Sequence, residues 1–417
     1  MNRNNSLVFY EVEGDNWHLR RESDGGVLII NGSKVIELNK AGYRYVALFL
    51  KSGANDSKTV WSMLRYGVNP IKAKKDWLKL KRSLVTAAKG CCAGSGINIQ
   101  VGERCFQAPL RVDLALTYIC NNDCFHCYAG GSHKTEELTT LEWQNALDKL
   151  WQFGVPQVAF TGGESLLRAD LLELIQYAKG LGMITGLIGR LLTSEKVTKL
   201  VESGLDYVQI TIESHLKEVH DRIVGIEGAL EQTLAGLKNA LASSLRVTTN
   251  TTMTNLNEKE ITDTLDFLLQ LGVSRIGLNG LIRSQRGKNK EGLPASRLKL
   301  ILNHAKKSCA ISRAELIWFT PTCYLAFDPL QEGLGTKRCA AAQTVLAIEP
   351  DGRIIPCQSY FDGLGNIKTD SLKDAWNHPL AMYLRERKWL DKTCQGCTHL
   401  MACGGSCPLE YEERAVL

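Results

Sequence analysis

Three cysteines fall within eight residues in "TYICNNDCFHCYAG" (117–130), at Cys120, Cys124 and Cys127. With 14 cysteines in 417 residues, a C-x3-C-x2-C triple arises by chance only roughly 0.02 times, so the spacing points to ligation. Soft thiolates select zinc, copper(I) or iron–sulfur clusters, and a structural zinc site closes with four donors. Three cysteines on a cubane of four irons leave one iron without a protein ligand, free to take a chelating substrate. The competing reading is a zinc site completed by His126 or His133.

Six further cysteines crowd the last eighty residues: Cys339, Cys357, Cys394, Cys397, Cys403 and Cys407. "CQGCTHLMACGGSC" runs C-x2-C-x5-C-x3-C from Cys394 to Cys407, with a chance expectation on the order of 0.0005, and is a ligand set. A zinc ribbon would use the same thiolates. Cys91, Cys92, Cys105 and Cys309 have no such spacing, and buried or free thiols are the default for them. The start, "MNRNNSLVFYEVEGD", lacks a secretory layout, so this cysteine content argues for metal or redox use in the cytoplasm rather than a disulfide framework. Hydrophobic residues make up 44% of the chain, with no run long enough to span a membrane. The net charge of +6 is spread along the sequence, and no basic stretch interleaves with stacking aromatics, which excludes a nucleic-acid groove. The longest basic cluster, "RSQRGKNK" (283–290), reads as a solvated loop.

The elements that must position the three cysteines form a regular rhythm from about Pro109. Strand candidates "LRVDLALTY", "QVAFT", "MITGLI", "YVQITIE", "RVTTNTTM" and "RIGLNG" recur, with helices between them near 139–153, 170–180, 194–203, 228–242, 258–271 and 296–308. Six β-α units imply an α/β fold with a parallel sheet curled into a partial (β/α)6 barrel, whose active site gathers beyond the carboxyl ends of the strands. The cysteine triple follows the first of these strands. Before the barrel, residues 1–90 read as a small β-then-winged-helix-like domain: short strands "SLVFYEVEG", "NWHLRRES", "GGVLIING" and "KVIELN", then helices from Lys40, broken near Pro70. Residues 91–108 are a Gly-rich linker, and the barrel is expected over 109–317. Residues 318–417 form a Cys-rich cluster-binding domain with one convincing helix, near 371–387; metal cross-links would supply its folding energy.

Residues 110 to about 310 resemble the radical S-adenosylmethionine superfamily, with Cys120, Cys124 and Cys127 matching its cluster motif. The resemblance implies a [4Fe-4S] cluster whose open iron is chelated by the amino and carboxylate groups of S-adenosylmethionine. An electron passed to the sulfonium would then release a 5′-deoxyadenosyl radical that abstracts hydrogen from the substrate. "FTGGES" (160–165) matches the family's Gly-Gly-Glu motif, with Gly162 and Gly163 allowing the backbone to approach the cofactor and Glu164 accepting from its ammonium group. Ser165 stands in place of the usual proline. Thr211 and Glu213 occupy the place of a Ser-x-Asp pair near the ribose and methionyl groups. "LIGRLL" replaces the family's Thr-Asn-Gly; Leu187 and Ile188 supply no polar contacts, and Ile188 is read as barrel packing. His126 stands where a side chain packs beside the adenine, with a solvated loop histidine as the alternative. Asn250 is a cofactor contact or a satisfied polar group of the barrel.

The tail resembles the SPASM extension, which carries auxiliary iron–sulfur clusters. Family precedent places Cys339, Cys357 and Cys407 on one cluster with Cys323 as fourth ligand, and Cys394, Cys397 and Cys403 on a second. Relatives with two full auxiliary clusters carry one more cysteine downstream, absent here up to Leu417, so the second cluster has an open or a non-cysteine ligand, with His399 a candidate, or only one auxiliary cluster forms. Residues 6 to about 88 resemble the PqqD-like element that holds a precursor's leader peptide as an added strand; a winged-helix fold with another role is the alternative. These resemblances imply a radical enzyme that modifies a precursor peptide, fed by an electron donor such as flavodoxin or ferredoxin. Modification of a small molecule such as a tetrapyrrole side chain is the second reading. A non-catalytic, zinc-bound peptide carrier is the third.

Overall fold

The computed structural model describes residues 7–12, 14–32, 34–88, 106–130, 136–390 and 392–412. His133, Cys91, Cys92 and Cys105 lie outside the described residues, as does most of the expected linker. The chain divides into two compact units, residues 1–108 with 149–156 and residues 109–148 with 157–417.

The first unit opens with an antiparallel sheet in the order β1-β2-β3-β4: β1 (Leu7–Val12), β2 (Asp15–Glu22), β3 (Gly25–Ile30) and β4 (Lys34–Asn39). Asn39 ends the last strand and caps α1 (Lys40–Lys51), its side chain accepting from Gly42 N. Then come α2 (Asp56–Ser62) and α3 (Pro70–Ala88). Proline opens α3 because its missing N–H costs nothing at a helix start. Leu19, Leu28, Val46, Phe49 and Trp77 build a shared sheet–helix core.

In the second unit seven strands run parallel and in chain order: β5 (Arg111–Thr117), β6 (Gln157–Gly162), β7 (Ile184–Ile188), β8 (Tyr207–Thr211), β9 (Arg246–Met253), β10 (Arg275–Gly280) and β11 (Glu315–Trp318). The alternation of these strands with helices follows the six-unit rhythm closely; α4 (Thr140–Phe153), α5 (Leu171–Leu181), α6 (Ser194–Glu202), α8 (Ala229–Leu241), α9 (Ile261–Gln270) and α10 (Ala295–Ile311) stand where periodicity puts them. An extra helix, α7 (Lys217–Val224), precedes α8. This is the partial barrel of the sequence reading.

Strand periodicity explains how the barrel acquires a polar interior. Side chains alternate between faces, so Ile210 and Ile212 pack away from the interior while Gln209, Thr211 and Glu213 share the opposite face. Asn250 and Thr252 do the same on β9.

The cysteine-rich tail adds to this sheet: β12 (Val345–Ile348) pairs in parallel with β5, and the antiparallel strands β13 (Arg353–Ile355) and β14 (Gly365–Asn366) follow. The single helix expected near 371–387 is two, α11 (Leu372–Trp376) and α12 (Pro379–Arg385). Pro379 begins the second and disfavours helical backbone at the residue before it. Among the described residues no helix is long and apolar enough to cross a membrane.

Candidate active site

Beyond the carboxyl end of β5, residues 118–130 form the cysteine loop, which is pinned by backbone bonds. Asp123 N donates to Val224 O (2.9 Å) and Phe125 N to Ile223 O (3.1 Å), both at the end of α7. Cys120, Cys124 and Cys127 all border one cavity of about 300 Å³. The same cavity is bordered by every other residue singled out for cofactor contact: His126, Gly162, Gly163, Glu164, Thr211, Glu213 and Asn250.

The two glycines act on the chain itself. Gly163 N donates to Thr117 O (2.7 Å) and Glu164 N to Ile119 O (2.9 Å), so the turn after β6 lies against the entry to the cysteine loop. A Cβ on Gly162, where φ is +133°, would sit 2.1 Å from Thr117 O, and one on Gly163 would sit 2.4 Å from Ile119 O. The sequence reading assigned this freedom to approach of the cofactor; here it serves a close approach between two backbone segments.

Glu164 is buried, with Oε2 accepting from Arg190 N (3.1 Å) and Oε1 from Leu166 N (3.3 Å). Burial pushes its carboxyl up, and the Arg190 charge opposes that. Arg190 also borders the cavity, donating to Asn121 Oδ1 in the cysteine loop and to Gln232 Oε1 (3.1 Å). Sequence reasoning missed it: "LIGRLL" was read for the polar groups it lacks, while the arginine two residues past Ile188 was the signal. Ile188 itself borders the cavity.

His126 is neither free in solvent nor merely stacked. Its Nε2 lies 3.2 Å from Glu213 Oε1, and Glu213 Oε2 accepts from Thr252 N (2.9 Å). Asn250 Oδ1 accepts from Asn279 Nδ2 (2.9 Å), a satisfied polar pair facing the cavity. His220, from α7, accepts from Glu213 N through Nδ1 (3.2 Å), which leaves the proton on Nε2. His220 borders the cavity, and its buried Nε2 has no hydrogen-bond partner among the described residues.

Burial holds the His220 pKa below its ordinary 6.5. The unfolded chain therefore binds a proton there more readily, so the stability this group contributes is intact above 6.5 and is lost as pH falls below it. Denaturant midpoints are expected to fall more steeply from about pH 7 to about pH 5.5 in the wild type than in His220→Asn, whose Oδ1 keeps the acceptor.

The basic run 283–290 packs against the cysteine loop instead of standing free. Arg286 pairs with Asp123, and Lys290 Nζ lies 5.9 Å from the Phe125 ring centre. Ser284 Oγ donates to Ser359 O (2.7 Å), joining this loop to the segment after Cys357. Gln358, next to Cys357, borders the cavity, and its buried Nε2 has no partner among the described residues.

In the tail, the half-buried Cys339, Cys357 and Cys407 lie close enough together that the charges of the first two act on Cys407. Burial pushes Cys339 up to about 12 and Cys407 well above its ordinary value. The segment bearing Cys323 runs beside 403–407: Cys403 Sγ donates to Thr322 O (3.3 Å) and Ser406 Oγ to Pro321 O (3.3 Å). Cys397 N donates to Cys394 O (3.2 Å), and His399 Nδ1 lies 3.8 Å from Asp328 Oδ2. Cys309 is a buried thiol of α10.

Thiols pushed up this far stay protonated unless a metal takes the place of the proton. Cys124, pushed up to about 12 by burial, is in that position beside Cys120 and Cys127. The loop supplies three thiolates beside one cavity, and a cubane takes one cysteine sulfur per iron. The donor set therefore fits an iron–sulfur cluster.

The profile of the Radical SAM superfamily matches residues 114–268, and that of the SPASM iron–sulfur cluster-binding domain matches residues 339–398. The PqqA peptide cyclase of Xanthomonas campestris pv. campestris is 30% identical over 316 residues, 72% of this chain and 82% of that protein. The AdoMet-dependent heme synthase of Methanosarcina barkeri is 28% identical over 318 residues, 72% of this chain and 91% of that protein. The crystal structure of Streptococcus suis SuiB bound to precursor peptide SuiA is similar at a TM-score of 0.70, with 17% identity, 97% of this chain and 95% of that chain. With the cysteine loop, the Gly-Gly-Glu turn and the parallel barrel in place, these matches establish that the chain belongs to the radical SAM superfamily and carries a SPASM-type iron–sulfur domain.

Proposed function

We propose that this chain is a radical S-adenosylmethionine enzyme that modifies a precursor peptide. The observation that carries the peptide is the reach of the fold likeness: 97% coverage takes in the first unit, with its four-stranded sheet and helices, as well as the barrel and tail. A leader would add as a strand beside β1 or β4, which end that sheet among the described residues. The proposed division is a recognition domain over 1–90, a linker over 91–108, the barrel over 109–317 and the cluster domain over 318–417. The cytoplasm is the proposed compartment, because reduced thiols and their clusters persist there.

When bound, the cluster and S-adenosylmethionine supply one-electron cleavage of a carbon–sulfur bond and a 5′-deoxyadenosyl radical that takes hydrogen from the substrate. Cys120, Cys124 and Cys127 would hold that cluster, and Glu164 would accept from the cofactor's ammonium group. Thr211, Glu213, His126 and Asn250 would form the polar wall against its ribose, methionyl and adenine groups. Gln358 Nε2 and His220 Nε2, buried donors with no partner among the described residues, would bind acceptor atoms of cofactor or peptide. Cys339, Cys357 and Cys407 with Cys323 would hold one auxiliary cluster, and Cys394, Cys397 and Cys403 a second, with His399 as its non-cysteine ligand.

An acidic one-electron carrier, flavodoxin or ferredoxin, is the proposed donor, met by the exposed Arg283, Lys288 and Lys290 beside the cysteine loop. Lys288→Glu with Lys290→Glu is expected to slow cluster reduction by reduced flavodoxin about tenfold at low salt. Reduction by dithionite should be unchanged, and stopped-flow absorbance reads both.

The test of function is anaerobic reconstitution of the full chain with iron and sulfide, followed by S-adenosylmethionine, reductant and any short peptide encoded beside the gene. The expected result is 5′-deoxyadenosine together with a mass change on the peptide that requires its leader. Membership of a superfamily of enzymes sets aside the zinc-bound carrier. The likeness to the heme synthase favours a tetrapyrrole as the second reading. Turnover of a porphyrin precursor, with the peptide left untouched, would replace the first reading by that one.

A further inference from the structure

Arg190 is a buried cation fixed between the two segments that build the first cluster site. Only 8% of it is exposed. Its guanidinium donates to Asn121 Oδ1, between Cys120 and Cys124, and to Gln232 Oε1 of α8. Its Nε lies 4.0 Å from Glu164 Oε2, and its backbone N–H donates to the same oxygen. With both ends of the guanidinium bonded, the charge is held in place instead of swinging out to a substrate. It lies two residues past Ile188, in the stretch where the family resemblance implies Thr-Asn-Gly.

We propose that Arg190 is the fixed positive charge of the first cluster, latching the cysteine loop to the Glu164 turn and raising the cluster's reduction potential. The inference rests on the reading that Cys120, Cys124 and Cys127 hold that cluster. Reduction adds one negative charge to a body bounded by three thiolates, and a nearby buried cation, poorly screened by solvent, stabilises the reduced form more than the oxidised one. Arg190 is a positioning residue, touching the loop and the turn.

The test is a redox titration of the anaerobically reconstituted full chain, following the electron paramagnetic resonance signal that changes when S-adenosylmethionine is added. In Arg190→Met the ratio of reduced to oxidised cluster at a fixed potential is expected to fall about tenfold, a shift of about 59 mV for a one-electron couple. Arg190→Lys keeps the charge and should stay within about twofold of wild type, as should Asn121→Ala, which removes the latch and leaves the charge. A wild-type midpoint in Arg190→Met, or an equal fall in Arg190→Lys, would overturn the assignment. If the methionine variant takes up no iron, Arg190→Gln is titrated instead and a wild-type midpoint there overturns it equally. A wild-type protein with no signal responsive to S-adenosylmethionine would instead sink the cluster reading beneath it.

Discussion

Cys124→Ala is expected to abolish 5′-deoxyadenosine formation, at least about a 100-fold loss, while leaving the fold intact. The loop around this residue is held by Asp123 N and Phe125 N bonding to Val224 O and Ile223 O, and neither bond uses the thiol. What disappears is one of the three thiolates proposed to hold the cluster. Bound iron and sulfide should drop by the amount of one cluster, circular dichroism should be unchanged, and Cys120→Ala and Cys127→Ala should behave alike. Cys309→Ala is the control, since that thiol is buried in α10 away from the cavity. It is expected to leave iron, sulfide and turnover unchanged.

Gly163→Val is expected to be the most damaging change outside the cysteines. A Cβ there meets Ile119 O at 2.4 Å and Tyr118 O at 2.8 Å, and neither atom is the end of a flexible side chain. To make room, the loop entry must move away from the turn, breaking the bonds from Gly163 N to Thr117 O and from Glu164 N to Ile119 O. Overpacking of this kind costs about 1–3 kcal/mol. Displacing the cysteines and Glu164 together is expected to weaken S-adenosylmethionine binding by about tenfold or more, read by equilibrium dialysis on the anaerobic protein. Gly180→Ala is the matched control: it lies in α5 with nothing within 4 Å of the added atom, so it should be neutral or slightly stabilising.

The barrel was legible because its strands and helices have different periods, and Gly or a polar cluster separates nearly every pair. β9 and β10 begin and end where "RVTTNTTM" and "RIGLNG" do. Periodicity is local, however, and says nothing about which distant strand pairs with which. The parallel pairing of β12 with β5 joins residues more than two hundred apart, and no window of sequence reports it. α7 was missed because its eight residues give barely two turns of periodicity. The site was legible as a set of residue types, since all ten barrel residues singled out border one cavity. Their partners were not. That His126 faces Glu213, that His220 accepts from the Glu213 backbone, and that Arg190 reaches Asn121 are consequences of strands and loops meeting at the carboxyl end of the sheet. Gly162 and Gly163 show the same limit: sequence reports a need for close approach and leaves open what approaches.

The most direct test is an anomalous-scattering map, collected at the iron edge from anaerobic crystals grown with S-adenosylmethionine. Four irons are expected at the end of β5, three of them bonded to the sulfurs of Cys120, Cys124 and Cys127, with the fourth taking the amino and carboxylate groups of the cofactor. A single zinc ion held there by four protein side chains would contradict it.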